Sequence, residues 1–308
     1  MRILVTGGAG FIGSHVVDAY LAAGHDVWVL DDLSTGRREH VDPRAQLVVG
    51  DILGDLGPVM AAARPRVVSH HAAQKSVPAS VEDPRRDAEL NVLGLVNVLE
   101  AARAAGVTRF ILASSGGALA GERLPAREED PPTVSSPYAL SKLTGEHYLA
   151  LYARIHGLET LALRYANVYG PRQTPGGEGG VVPIFMANLR ARAPSRLYSP
   201  PGMPDGATRD WVHVADVARA NLLALTAQAG GVFNIGSGRE VSTRELYRLI
   251  EAAAGREAPL LPAGERPGDL GRSVLDVRRA REQLGWEPAI ALEAGLAQTW
   301  AWGEKTQG

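Results

Sequence analysis

Two residues in the stretch "SPYALSK" can do acid–base chemistry together. Tyr138 and Lys142 stand four apart, a spacing that puts both on one face of a helix. Pro137 suits a first helical position and Ser136 a capping one. Tyr138 then falls in the first turn, where the helix dipole favours a phenolate. A free tyrosine ionises only near pH ~10 and is a poor base at neutrality; a neighbouring ammonium lowers that threshold. Hydroxyls that could work beside the pair lie upstream in "ASSGGALAG", residues 113 to 121, where Ser114 and Ser115 follow an apolar run. Tyr-x-x-x-Lys is common by chance, so its meaning depends on the elements that hold it.

The first such element opens the chain. "TGGAGFIG" puts Gly7, Gly10 and Gly13 between an apolar run and a segment of helical spacing. A turn this tight needs residues without Cβ, and backbone N–H groups at a helix N-terminus attract a pyrophosphate. "VLDD" then places Asp31 and Asp32 eighteen and nineteen residues after Gly13. An acid at the end of the second strand accepts from both ribose hydroxyls and repels a 2′-phosphate, which favours NAD over NADP; Arg37 and Arg38 nearby leave NADP open. In this setting the Tyr-Lys pair reads as catalytic rather than as a solvated helix face.

Strands alternate with helices across the first 170 residues. "RILVTGG", "DVWVLDD", "AQLVVGD", "PRVVSHHAA", "TRFILASS" and "ETLALRYANVYG" read as six strands, with long helices at "AELNVLGLVNVLEAARAAGV" and "SPYALSKLTGEHYLALYARIHG". The strands are continuous apolar runs, as expected of a parallel sheet covered on both faces. The fold class expected is α/β, a Rossmann-type doubly wound parallel sheet with a smaller C-terminal substrate-binding α/β lobe. Residues 1–170 are expected to form the NAD-binding domain, with returns to it around 210–240. Residues 171–308, richer in glycine and proline at first, are expected to form mainly the second lobe, packed by Trp286, Trp300 and Trp302.

Composition removes other classes. The chain has 308 residues, 45% hydrophobic and 21% charged, with net charge −2, which suits a large core and offers no basic surface for nucleic acid. It has no cysteine, so disulfides and thiolate sites are excluded. Its eight histidines show no metal-ligand spacing, so no metal is expected. No apolar window long enough for a membrane span or signal peptide is seen, and a cytoplasmic location is expected.

"VTGGAGFIGSH", "RFILASS", "YALSK" and "LRYANVYGPRQ", with the later "TRDWVHVADVARA", "FNIGSG" and "RPGDL", resemble the extended short-chain dehydrogenase/reductase family, and in particular its nucleotide-sugar branch. The resemblance spans essentially the whole chain in motif order. It implies a retained NAD, a UDP-sugar substrate and a homodimer formed through a helix pair. It implies that Phe11 and Ile12 lie beside the pyrophosphate, that Asp31, Asp32, Ser34, Thr35 and Gly36 surround the adenosine ribose, and that Asp51 and Ile52 flank the adenine. His71, Ala72, Ala73, Lys75, Asn91, Ser114 and Tyr165 would complete the cofactor side with Tyr138 and Lys142. Asn167, Val181, Tyr198, Arg209, Arg266 and Ser273 would hold the substrate, with the two arginines on the diphosphate, a role that suits planar guanidinium forks.

Within that branch, dehydratases resemble one another in a Thr-Asp-Glu run at the end of the fifth strand, where this chain has Gly116, Gly117 and Ala118. No acid–base pair stands there, so the resemblance implies a reaction needing one base and a hydride acceptor: 4-epimerisation of a UDP-hexose. The alternatives are another nucleotide-sugar reductase or epimerase, or a non-catalytic NAD-binding module. Most epimerases of the branch carry a Ser or Thr that bonds O4 at the position of Gly116, and a tyrosine at the position of Ala120. Either Ser115 or Ser114 reaches the sugar through a shifted backbone, or a water does that work; Ser115 is the residue favoured. Ser273 falls where some members carry a bulky tyrosine, which would leave room for the N-acetyl group of UDP-GlcNAc or UDP-GalNAc.

Overall fold

The computed structural model describes residues 1–121, 123–175, 180–265 and 270–307. In chain order the first half runs β1 (Arg2–Thr6), α1 (Phe11–Ala22), β2 (Asp26–Asp31), β3 (Gln46–Val49), α2 (Gly57–Ala63), β4 (Val67–His70), α3 (Val77–Glu82), α4 (Pro84–Ala88), α5 (Gly94–Ala104), β5 (Arg109–Ser115), α6 (Gly116–Leu119), α7 (Pro137–His156) and β6 (Glu159–Tyr165). The rest runs β7 (Asn167–Tyr169), α8 (Val181–Arg190), β8 (Ser195–Leu197), β9 (Thr208–His213), α9 (Val214–Ala224), β10 (Gly231–Ile235), β11 (Glu240–Ser242), α10 (Thr243–Ala254), β12 (Leu260–Pro262), β13 (Arg272–Ser273), α11 (Arg278–Leu284) and α12 (Leu292–Gln307).

Seven strands form one parallel sheet in the order β10-β6-β5-β4-β1-β2-β3. The order doubles back between β1 and β4, the place where an open α/β sheet leaves a crevice at its carboxyl ends. Apolar side chains on both faces bury it. Ile3, Val5, Val29 and Ile111 pack under α1 and α9 on one side, and Leu4, Val68, Phe110 and Leu112 pack under α5 and α7 on the other. A second sheet, β11-β9-β13 with β7 against β9, and a two-stranded sheet of β12 and β8 gather the later elements. A third core of Tyr169, Phe185, Trp211, Tyr247 and Trp300 lies there.

Three sequence expectations change. The sixth strand is two strands: β6 stays in the main sheet, while β7, one residue further on, pairs in parallel with β9. The chain returns to the main sheet through α9 and β10, and Trp286 belongs to that core rather than to the later lobe, its indole N–H donating to the Asp216 carbonyl at 2.9 Å. The long helix expected over residues 88–107 is broken by a π-helical turn at Glu89–Leu93, a form often found at functional sites. Among the described residues no helix is long and apolar enough to cross a membrane, and no group of three His, Asp or Glu side chains could hold a metal ion.

Candidate active site

The glycine turn is shaped by close backbone contact. Gly7 takes a left-handed φ of 69° between β1 and α1. A Cβ on Gly13 would stand 2.1 Å from the Gly7 carbonyl oxygen, and one on Gly7 would stand 2.5 Å from the Ala72 nitrogen. Side chains are therefore excluded from the place where a dinucleotide must approach the backbone. Asp31 ends β2 and accepts hydrogen bonds from the Ala9 and Leu33 N–H groups, both at 2.9 Å. Burial pushes its carboxyl up from the usual range, against those bonds. Gly36 closes the loop over this acid, where a Cβ would come within 2.6 Å of Asp31 Oδ1.

One cavity runs along this edge. Gly7, Gly10, Phe11, Ile12, Gly13, Asp31, Asp32, Ser34, Thr35, Asp51, Ile52, His71, Ala72, Ala73, Lys75, Ser114, Tyr138, Lys142 and Tyr165 all line it. Leu30, Gly50, Leu90 and Ala113 also line it and carried no sequence signal beyond lying on apolar elements. Gly36 and Asn91 do not line it. Asn91 sits in the π-turn and donates to the Gln74 carbonyl at 2.8 Å and to Asp87 Oδ1 at 2.9 Å. It braces the loop behind Lys75 instead of facing the cavity. The cavity fits a dinucleotide on grounds of its own: the cradle has no room for Cβ atoms, the ribose-end acid is in place, and His71 Nδ1 is buried there without a partner among the described residues.

A second, larger cavity of about 580 Å³ adjoins the first, within the size range of small-molecule sites. Ser115, Asn167, Val181, Tyr198 and Arg209 line it, and Tyr138 borders both cavities. Sequence reading missed Arg196, Trp211 and Thr243 here, along with Arg172 and Gln173. The alternation of "TRDWVH" could have found Trp211, since it shares a strand face with Arg209. Ser273 does not line the cavity. It is buried on β13, paired in register with Arg209, so it lies beside the arginine's strand. Arg266 lies outside the described residues.

The catalytic candidates converge at the seam. Ser136 caps α7, its hydroxyl accepting from the Ala139 N–H at 3.1 Å, and this sets Tyr138 in the first turn. Lys142, one turn on, is buried and donates to the Ala113 carbonyl at 3.0 Å; its Nζ stands 5.7 Å from the Tyr138 ring centre. Burial lowers its pKa to about 8, with Asp87 and Glu146 opposing the shift. The two serines at the end of β5 differ. Ser114 also borders both cavities but donates to Glu146 Oε1 at 2.6 Å, inside a buried pair with Arg164. Ser115 caps α6, accepting from the Ala118 N–H at 3.2 Å, and lines the larger cavity. Gly116 offers no hydroxyl to either space, and a Cβ there would stand 2.4 Å from Leu275 Cδ1, so the leucine would have to shift to admit one.

A parallel sheet with this crevice, a glycine cradle, an acid-ended second strand and a Tyr-Lys helix define an NAD-dependent enzyme of the short-chain dehydrogenase type. The chain belongs to the NAD dependent epimerase/dehydratase family, whose model matches residues 3–236. It is 47% identical to a UDP-glucose 4-epimerase of Mycolicibacterium smegmatis over 97% of both chains. It is similar to the crystal structure of UDP-glucose 4-epimerase from Thermotoga maritima with UDP-glucose, at a TM-score of 0.96 and 42% identity over 100% of both chains. A Thermus thermophilus UDP-glucose 4-epimerase in complex with NAD matches at a TM-score of 0.93 and 45% identity, covering 99% of this chain and 100% of that one.

Proposed function

We propose that this protein interconverts UDP-galactose and UDP-glucose by NAD-dependent epimerisation at C4. The observation that carries the reading is the position of Tyr138, the candidate base, which borders the dinucleotide cavity and the larger one together. A group so placed can reach a sugar hydroxyl while the hydrogen on the same carbon faces the cofactor. Bound NAD supplies a reversible hydride acceptor. Tyr138 takes the O4 proton and later returns it, while the Lys142 ammonium stabilises the phenolate. Ser115 donates to O4, its oxygen being fixed by the Ala118 N–H. The size of the cavity lets the 4-keto sugar present its other face. Arg209 and Asn167 hold the diphosphate end, and the dinucleotide-cavity residues named above hold the cofactor.

The end of β5 supports epimerisation over dehydration, because Gly116 is packed against Leu275 and neither Gly117 nor Ala118 can supply an acid. Residues 1–170, with the return through α9 and β10, serve as the NAD-binding domain, and 171–308 mainly as the UDP-sugar lobe. Ser273 lies on β13 beside the arginine strand, so acceptance of UDP-GlcNAc and UDP-GalNAc would work through how closely β13 lets the sugar end approach. We place the protein in the cytoplasm as a homodimer. Val81 on α3, Leu93 in the π-turn and Leu140 on α7 support the latter, as large apolar side chains more than half exposed at 62%, 59% and 55%, on α7 and two elements that pack against it.

The test is to incubate the purified protein with UDP-galactose, without added cofactor, and follow the anomeric protons by NMR. Approach to a mixture with UDP-glucose is expected. Tyr138→Phe is expected to slow this by about 10²–10⁴-fold with NAD still bound. A native protein that holds NAD and leaves UDP-galactose unchanged would favour a reductase or a different epimerase.

A further inference from the structure

Buried N–H groups without an acceptor are rare in folded proteins, and one of them lies in the larger cavity. Trp211 is 8% exposed, lines that cavity, and its Nε1 has no hydrogen-bond partner among the described residues. An indole N–H can only donate, so the group it awaits is an acceptor. Trp211 and Arg209 are two apart on β9 and project from the same face. Asn167 is opposite Trp211 in the parallel pairing of β7 with β9. Asp210, the carboxylate between them, belongs to the other face. It is already engaged by the Ser237 N–H and hydroxyl, both at 2.6 Å, the Gly238 N–H at 3.1 Å and the Leu275 N–H at 3.2 Å. These bonds fix the strand and occupy that carboxylate, and among the described residues no Asp or Glu lines the cavity. Arg196 and Arg209 both line the cavity, so the acceptor that fits is anionic and rich in oxygen.

We propose that the Trp211 indole N–H donates a hydrogen bond to the diphosphate of the bound nucleotide sugar, beside Arg209. The proposal rests on the reading of the larger cavity as the UDP-sugar site. A donor fixed in a packed side chain costs little ordering on binding, and a hydrogen bond to a phosphate oxygen is charge-assisted. Trp211 is therefore a binding residue for the reaction's substrate, one that also anchors the later core.

The test uses the full-length protein labelled with ¹⁵N. The chain has five tryptophans, and the indole signal missing from Trp211→Phe identifies the one at issue. UDP is expected to move that signal downfield, and uridine, which lacks the diphosphate, to leave it in place. The substitution is expected to weaken UDP binding by about 10–100-fold and uridine binding hardly at all. Five indole signals that all stay in place at saturating UDP would overturn the proposal, even if the variant proved too unstable to assign them. Equal loss of UDP and uridine binding would overturn it too, since that is what lost packing alone produces. A native protein that binds no UDP would instead sink the assignment of the cavity on which the proposal rests.

Discussion

The two serines that end β5 point to different consequences when changed. Ser115 keeps its oxygen on the Ala118 N–H and can turn its proton toward a ligand in the larger cavity. Ser115→Ala is expected to lower kcat by about 10–100-fold and to leave the melting temperature close to that of the native protein. Ser114 gives its proton to Glu146, whose other bonds are the two from Arg164 at 2.8 and 2.7 Å. Ser114→Ala leaves one carboxylate oxygen short of a donor in a buried pair, which costs about 1–3 kcal/mol of stability, with kcat little changed in the protein that remains folded. Steady-state kinetics and thermal unfolding of both variants separate the roles; a reversed pattern would make Ser114 the group that reaches the sugar. Sequence alone left this choice open. Strand alternation says that the two hydroxyls diverge, and Glu146, distant in sequence from β5, says which way Ser114 goes, while Ser115 is turned by its own cap on the Ala118 N–H.

At the scale of elements, the legible parts were those whose cause is local. The α7 cap at Ser136, the left-handed Gly157 that ends it and the glycine cradle before α1 all lie within a few residues of what they control. The split between β6 and β7, the placing of Trp286 in the main core and the burial of Ser273 beside β9 depend on partners far along the chain. Asn91 is the clearest case. The family resemblance implied that it supports the cofactor side, and its amide donates into a buried hub at Asp87. That carboxylate, 1% exposed, accepts from Gln74 and Asn91 at 2.9 Å each and from the Ser141 hydroxyl at 2.6 Å. It thereby ties the loop that bears Lys75 to α7 at the residue next to Lys142. Its charge also raises the Lys142 pKa against burial. Asp87→Asn keeps the shape and removes the charge, so Lys142 should lose its proton at a lower pH than the native value of about 8. The alkaline limb of the kcat/KM profile is expected to move to lower pH, while activity at pH 6 falls less. An unmoved limb would mean that the hub is only a brace.

For the whole molecule, the cost of building cavities at the edge of a buried sheet appears in its acid stability. Burial opposes the charged form of six imidazoles, His25, His40 and His213 among them, and most strongly that of three: His70 at the end of β4, held by Thr6 at 2.8 Å, His71 beside it in the dinucleotide cavity, and His15 on α1 facing the Pro171 carbonyl at 3.0 Å. Burial, aided by Lys142, lowers the pKa of His70 and of His71 to about 3; burial, aided by Arg172, lowers that of His15 to about 4. In the unfolded chain all three take up protons near pH ~6.5. Below that pH the unfolded state binds protons that the native state refuses, so stability falls as pH drops. Each group contributes at most about 1.4 kcal/mol per pH unit, and the three together at most about 4. The loss begins near pH ~6.5 and continues to about pH 4, where His15 begins to charge in the folded protein. Asp31, Glu128 and Asp210, whose carboxyl pKa values are raised by burial, act in the opposite sense. Urea unfolding at a fixed saturating NAD concentration, at pH 7.5, 6.5 and 5.5, should therefore show a midpoint that is nearly level over the first step and drops over the second, with an unchanged slope. A midpoint as high at pH 5.5 as at 7.5 would mean that these imidazoles accept protons in the folded state, and that the sheet edge is wetter than its packing implies.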